Sequence, residues 1–299
     1  MTAKVIAVAN MKGGVGKTTT VVGLAETFAA VGIDGRKQNV LVVDLDAQAS
    51  ASYCIAGDET LDKLIRDHRT VEVFLRDSIL HRERVRLADF VRPQASSLTG
   101  EDHELLSLSL VAASPELRYV EREIIYGLTK SGYALEAIEG QVRELILHEI
   151  EILRKRYDVI IFDCPPGISA FTEAVLKASD LIIAPVIPDK LSTLGLAAFC
   201  NRVLAAPRAD LAGLRQPWVL ANRVQKTTVQ QETLANMRKA AAAHNSAFRM
   251  FETIVPQSAA LVAAMDYPVL APTYVKKFGN ARGDLQRVAK EAMEAINAC

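Results

Sequence analysis

Two lysines five positions apart bracket a glycine-rich run, Lys12-Gly-Gly-Val-Gly-Lys17-Thr18, early in the chain. Apolar, β-branched residues precede it (Val5–Ala9), and a helical pattern follows (Thr18–Val31), stopping at Gly32. Strand, glycine turn and helix together aim successive backbone N–H groups and the positive end of a helix dipole at one point, which suits phosphate oxygens. Gly13, Gly14 and Gly16 allow the tight turn, with Val15 between them and Thr19 completing the first helical turn. Lys17 is expected to reach the β- and γ-phosphates of a nucleoside triphosphate, and Thr18 to offer its hydroxyl to Mg²⁺. The common phosphate-loop pattern GxxxxGK[ST] would begin with glycine, whereas Met11 stands there and a second lysine, Lys12, follows it. A lysine at the lip of such a site can neutralise charge developing on a transferred phosphoryl group, as an arginine finger does. Its bland alternative is a solvated surface lysine.

Acidic residues at the ends of apolar runs complete the chemistry. Asp44 and Asp46 close Val-Val-Asp-Leu-Asp-Ala-Gln48, and Asp163 closes Val159-Ile-Ile-Phe. Carboxylates at the C-terminal edge of parallel strands face the crevice where ligands bind. Strand alternation puts Asp44 and Asp46 on one side, one near the metal's water shell and the other orienting an attacking water. Asp163 is expected to hold Mg²⁺ directly or through water. Capping the next element is the competing role for each. Cys164-Pro165-Pro166-Gly167 follows as a rigid turn with a pivot. With Asp46 and Gln48 it is the expected switch that senses ATP against ADP. Asn222-Arg223 ends another apolar run. The Asn222 amide matches an adenine edge in donor and acceptor, and a simple turn residue is the alternative.

The elements that must position these residues are legible as continuous apolar strands alternating with amphipathic helices. Such a pattern predicts a doubly wound, mostly parallel α/β sheet with helices on both faces. Candidate strands are Val5–Ala9, Val40–Leu45, Val159–Phe162, Leu181–Pro185, Trp218–Ala221 and Thr253–Val255. Helices are expected at Thr18–Val31, Leu135–Arg156, Val229–His244 and Arg282–Ala298. Residues 57–104 lack strand character and read as a helical excursion, with a loop near Pro93–Gly100. One domain over residues 1–299 accommodates everything.

The chain has 299 residues, half of them hydrophobic and 23% charged, an ordinary globular composition. Apolar stretches break well before 18 residues, and the N-terminus has no signal-peptide layout, so a cytoplasmic protein is expected. Cys54, Cys164, Cys200 and Cys299 form no CxxC pair, which argues against disulfides and zinc. An iron–sulfur relative would need a second cysteine suitably placed beside Cys164. Net charge is zero, yet residues 201–299 carry 13 lysines and arginines against 7 acids, leaving 22 against 28 in the remainder. That asymmetry permits a local anion-binding face, or simply a solvated one. A membrane-surface role would need large apolar residues opposite basic ones in the last helix. Asp284–Cys299 is instead rich in alanine and glutamate, with Leu285, Val288, Met293 and Ile296 its larger apolar residues.

Four stretches together resemble the ParA/MinD family of P-loop ATPases: Ala9–Thr20, Val42–Gln48, Tyr157–Gly167, and Ile254–Ser258 with Tyr267–Val269. The resemblance covers roughly 1–56 and 104–298, and it implies several roles. Lys12 would be the signature lysine that reaches a partner's phosphates across a nucleotide-sandwich homodimer. Asp46 would position the hydrolytic water, and Asp163 would be the Walker B acid. Asn222 and the segment around Pro256 would contact adenine. It further implies ATP-driven dimerisation, DNA binding without sequence preference, nucleoid association, and hydrolysis stimulated by a ParB-like or other cargo-bound activator. Candidate DNA contacts are Arg223, Lys226, Arg249, Lys276 and Lys277, drawn from a wider set that includes Arg202, Arg208, Arg215, Arg238, Lys239 and Arg282. Gln257 departs from the arginine often found after that proline. No helix-turn-helix domain precedes residue 1, as in the short ParA subclass. Positioning of a non-DNA cargo and a MinD-like membrane switch are the alternatives.

Overall fold

Every residue of the central apolar runs is buried, because the sheet they form is covered on both faces. The computed structural model describes residues 2–33, 35–167, 169–200, 215–266 and 273–298. Among these, seven strands form one all-parallel sheet: β1 (Lys4–Val8), β2 (Val40–Asp44), β3 (Leu108–Val111), β4 (Val159–Asp163), β5 (Leu181–Val186), β6 (Trp218–Ala221) and β7 (Arg249–Met250). Their order is β3-β2-β4-β1-β5-β6-β7. The doubly wound fold expected from the apolar runs is therefore present. In register, Val8 pairs with Asp163 and Asp44 also pairs with Asp163, so the loop after β1 and both strand-terminal aspartates share one edge. Each fully buried Val, Ile or Phe of these strands contributes about 1.5–3 kcal/mol of apolar transfer.

Helix α1 (Lys17–Ala30) leaves β1 through Gly16 and is buried on nearly every face. It lies between the sheet and the closing helix α12 (Arg282–Asn297), with Gly23 close enough that an added Cβ would sit 2.8 Å from Leu285. Leu285, Val288, Met293 and Ile296 are buried there, so the larger apolar side of α12 faces the core. No described helix is long and apolar enough to cross a membrane. The remaining helices are α2 (Ser50–Ala56), α3 (Asp58–Arg66), α4 (Val71–Arg76), α5 (Leu117–Lys130), α6 (Leu135–Leu153), α7 (Ala170–Ala178), α8 (Lys190–Phe199), α9 (Thr228–Ala241), α10 (Ala259–Met265) and α11 (Tyr274–Phe278).

One expected strand needs correction, and one observed strand, β3, is missing from the expected set. β3 carries no strong sequence signal: it is a four-residue edge strand interrupted by Ser109. The Pro93–Gly100 segment is a loop as expected, and it is tied to β3 at its start, with Arg92 N–H donating to Leu110 O and Ala95 N–H to Leu108 O. The run Thr253–Val255 is not a strand. The Glu291 carboxylate of α12 takes the N–H groups of Glu252 and Thr253 and the Thr253 hydroxyl, removing donors a ladder would need. The sheet ends instead on the short β7. Residues 57–104 contain α3, α4, a π turn (Asp77–His81) and a 3₁₀ turn (Leu87–Phe90), joined by irregular segments. The buried Glu72 ties that segment to the end of β3 by accepting from the hydroxyls of Thr70 and Ser114.

Candidate nucleotide-binding site

The loop between β1 and α1 turns through two left-handed glycines, Gly14 at φ 74° and Gly16 at φ 92°. No side chain caps α1, which leaves its first N–H groups for a ligand at the positive end of the helix dipole. Above the loop opens a cleft of about 910 Å³, within the range of ligand pockets. Gly13, Gly14, Gly16, Lys17, Thr18 and Thr19 line its floor. Asp46, Gln48 and Pro166 flank one side, and Asn222, Arg223 and Pro256 another. Its lining also includes the larger apolar side chains of Tyr53, Leu61, Ile65, Leu261 and Met265. Nothing local in the sequence marks that lining, since α2, α3 and α10 are brought together only by packing.

Lys17 is nearly buried, and its Nζ lies 3.4 Å from the Lys12 carbonyl. Burial lowers its pKa, against the opposing pull of Asp163, Asp46 and Cys164. The Thr18 hydroxyl donates to Asp163 Oδ2 at 2.7 Å. Asp163 Oδ1 is buried with no hydrogen-bond partner among the described residues. Burial, and next the charge of Asp44, push the Asp163 carboxyl well above the ordinary carboxylate range, while the Thr18 bond pulls it down. An unpartnered carboxylate oxygen beside a threonine hydroxyl under a phosphate loop is a hard-oxygen donor set suited to Mg²⁺. Thr18 and Asp163 would hold the ion, which would neutralise phosphate charge.

Asp44 departs from its expected role. Strand β2 ends at Asp44, so the alternation rule does not carry on to Asp46, and the two carboxylates do not face the same way. Asp44 is fully buried and does not line the cleft. Its Oδ2 accepts from Ser52 N and Ser52 Oγ at 2.9 and 2.7 Å, and its Oδ1 accepts from Asp46 N at 3.0 Å. The carboxylate thus pins the segment bearing Asp46 to α2. Burial raises its pKa to about 6, against the Ser52 bonds. Asp46 does line the cleft, and its Oδ1 accepts from the Gln48 N–H, followed by Ala49 at φ 52°. In the second switch stretch Pro165 and Gly167 stand off the cleft wall, with Gly167 at φ 133°, while burial pushes the Cys164 thiol up.

Asn222 and Arg223 brace the loop from the end of β6. The Asn222 amide donates to Val15 O at 2.9 Å and accepts from Arg223 N, and Arg223 Nη1 donates to Gly14 O at 3.1 Å. An adenine edge would have to use what remains of that amide. Arg223 adopts φ 52°, a left-handed turn that points its side chain back to the loop.

Lys12 does not line the cleft. Its Nζ donates to Ser192 Oγ at 2.8 Å and reaches Asp189 Oδ1 at 3.4 Å, at the start of α8. The spacing Asp189-x-x-Ser192 after an apolar run marks a helix start, yet nothing in the sequence joins it to Lys12. Of the candidate DNA contacts, Arg223, Lys226, Arg249 and Lys276 are exposed, with the Arg249 guanidinium 5.6 Å from the Trp218 ring centre. Lys277 is a correction: it is buried and ion-paired to Glu26 at 2.7 Å, because α11 turns this lysine onto α1. Arg215, Arg238 and Lys239 are exposed, and Arg282 pairs with Glu101. Arg202, Arg208 and the Tyr267–Val269 motif lie outside the described residues.

Comparison with known proteins agrees with this geometry. The family described as an AAA domain (AAA_31) matches residues 3–209. The chromosome-partitioning ATPase Soj of Thermus thermophilus is 27% identical over 296 residues, covering 97% of this chain and 96% of that protein. The structure of pNOB8 ParA bound to nonspecific DNA is similar with a TM-score of 0.67 at 20% identity, covering 99% of each chain. A Cyanothece McdA variant in complex with ATP is similar at a TM-score of 0.64 and 18% identity, covering 99% of this chain and 96% of the other. At such identities the two structures speak for the fold. With the phosphate loop, the strand-terminal aspartates and the sheet order in place, the chain belongs to the ParA/MinD family of P-loop ATPases.

Proposed function

We propose that this protein is a partition-type ATPase. Binding of ATP and Mg²⁺ joins two copies across their nucleotides, and the homodimer holds DNA without sequence preference. A ParB-like or other cargo-bound activator then stimulates hydrolysis and release, so that DNA is segregated or positioned in a cytoplasmic, nucleoid-associated cycle. One observation carries the reading: the two loop lysines face different ways. Lys17 lines its own cleft, whereas Lys12 points out of it toward α8. A lysine on a phosphate loop that does not serve the loop's own cleft is available to the cleft of a second copy. Within each site Lys17 and the α1 N-terminus would hold phosphates, Thr18 and Asp163 the ion, and Asp46 the attacking water.

DNA as the surface is supported by the relatives' described activities and by the exposed Arg223, Lys226, Arg249 and Lys276. Contacts to phosphates alone make affinity fall steeply with salt. The test is fluorescence anisotropy of a labelled random duplex, with sedimentation in parallel, in ATP, in ADP and without nucleotide. Binding and dimerisation are expected only with ATP; ATP-bound protein indifferent to DNA at low salt would sink the reading. Lys17→Ala is expected to abolish nucleotide binding, and Asp46→Ala to trap the ATP dimer on DNA. A non-DNA cargo is the second reading, and ATP-dependent dimers that ignore DNA would favour it. A MinD-like membrane role is disfavoured by the burial of the apolar side of α12.

A further inference from the structure

Lys12 is held, and by groups that have no other partner in the nucleotide site. Its backbone is pinned first: Lys12 N–H donates to Asn10 Oδ1 at 3.1 Å, and the buried Asn10 amide donates to Pro185 O in β5 at 2.8 Å. The start of α8 follows β5 directly, and Asp189 caps it by accepting from Ser192 N at 2.6 Å. Seat and lysine are therefore both fixed to β5, so only the Lys12 side chain has to swing. That side chain is 31% exposed and Asp189 38% exposed, while Ser192 is fully buried.

The geometry points to a cis latch. Asp189 and Ser192 act as positioning residues that park the Lys12 ammonium on its own protomer until a second copy presents nucleotide phosphates, so that the latch sets the threshold for dimerisation. The inference rests on the dimer reading above. A part-exposed ion pair is a weak restraint, and a triphosphate with several negative charges outcompetes a single carboxylate and a hydroxyl. The latch therefore delays pairing without preventing it. Releasing one such contact is worth about a two- to fivefold change in an equilibrium. Two copies release one each, so the dimer constant should move by about four- to twenty-five-fold when both are removed.

The test uses the full chain with Asp189→Asn, which keeps a good helix cap while removing the charge, and separately Ser192→Ala. Two measurements are made: the acetylation rate of Lys12 by mass spectrometry without nucleotide, referenced to exposed Lys276, and the ATP-driven dimer constant by sedimentation. Expected are faster Lys12 acetylation in both variants, tighter dimers by the factors above, and unchanged affinity of the monomer for AMP-PNP. Wild-type Lys12 reacting as fast as Lys276 with no change in the variants would overturn the latch. So would variants that dimerise with ATP no better than wild type, or worse, which would mean that the two residues position Lys12 productively or not at all. Wild type that fails to dimerise with ATP at any concentration would instead remove the dimer reading, and this inference with it.

Discussion

Lys276 and Lys277 are neighbours in a basic stretch, yet replacing them should have unrelated consequences. Lys277 Nζ lies 2.7 Å from Glu26 Oε1, with the two side chains only 2% and 0% exposed. Glu26 Oε2 has no other partner among the described residues. Lys277→Met therefore strands a carboxylate inside the α1–α11 contact. Removing one member of a buried pair typically destabilises by about 3–5 kcal/mol. At about 2 °C per kcal/mol for a chain of this size, the melting temperature should drop by about 6–10 °C. Burial already raises the Glu26 pKa, with Lys277 opposing. Without Lys277 the carboxyl rises further, so the folded variant holds a proton that its unfolded chain releases. Its stability is then present at low pH and lost as pH rises, making the deficit smaller at pH 5 than at pH 8. Glu26→Leu combined with Lys277→Met should recover most of the loss, because an apolar pair of similar volume costs no desolvated charge. The assay is thermal unfolding of wild type, both single variants and the double variant. DNA anisotropy is measured alongside at a temperature where all are folded. Lys277→Met should keep ATP-dependent DNA affinity, whereas Lys276→Ala, if it meets a phosphate, should lower the salt slope by about 1. A Lys277→Met protein with unchanged melting temperature and weakened DNA binding would refute the reasoning.

Two further outcomes follow from the site. Gly16→Ala places a Cβ 2.1 Å from Asn222 Nδ2 at a backbone φ of 92°. Left-handed strain of about 1–2 kcal/mol and loss of a hydrogen bond worth about 1–1.5 kcal/mol should weaken AMP-PNP binding roughly 30- to 300-fold by calorimetry; a change under threefold would refute the bracing role of Asn222. In nucleotide-free protein, burial raises Asp44 to about 6 and Asp163 above its ordinary range. The folded state therefore keeps protons that the unfolded chain loses, and stability should fall as pH rises from about 4 through about 6, on the order of 3 kcal/mol for Asp44. Asp102, held low by Lys37, titrates below that window with the opposite sign. Stability rising steadily from pH 4.5 to 6.5 in denaturant melts would contradict the assignment.

The nucleotide floor was legible because its determinants are local. Gly14 and Gly16 need positive φ, Lys17 and Thr18 follow them directly, and β4 delivers Asp163 at its last residue. Strands with continuous apolar runs were equally plain, since burial on both faces leaves no alternation to misread. The weaker elements were decided by distant partners. β3 exists because Val40–Val43 of β2 pair with it, and Thr253 is lost from the sheet because Glu291 takes its N–H. The switch carboxylates divide for a similar reason: Ser52, eight residues on, takes Asp44, which leaves Asp46 to the cleft.

By itself the sequence determined the glycine turn of the loop, the strand-terminal place of Asp163 and the layered α/β fold, because each depends on backbone conformation and burial over a few consecutive residues. Tertiary structure decided where the lysines point. Lys17 and Lys12 belong to one motif, but α8 draws Lys12 to groups 177 and 180 residues away. Lys276 and Lys277 differ only by a 100° step around a helix, which leaves one in solvent and sets the other against Glu26. Charge is written residue by residue, whereas its partner is set by how distant helices pack, and in this protein that packing separates a lysine in the cleft, a lysine held at α8 and a buried ion pair.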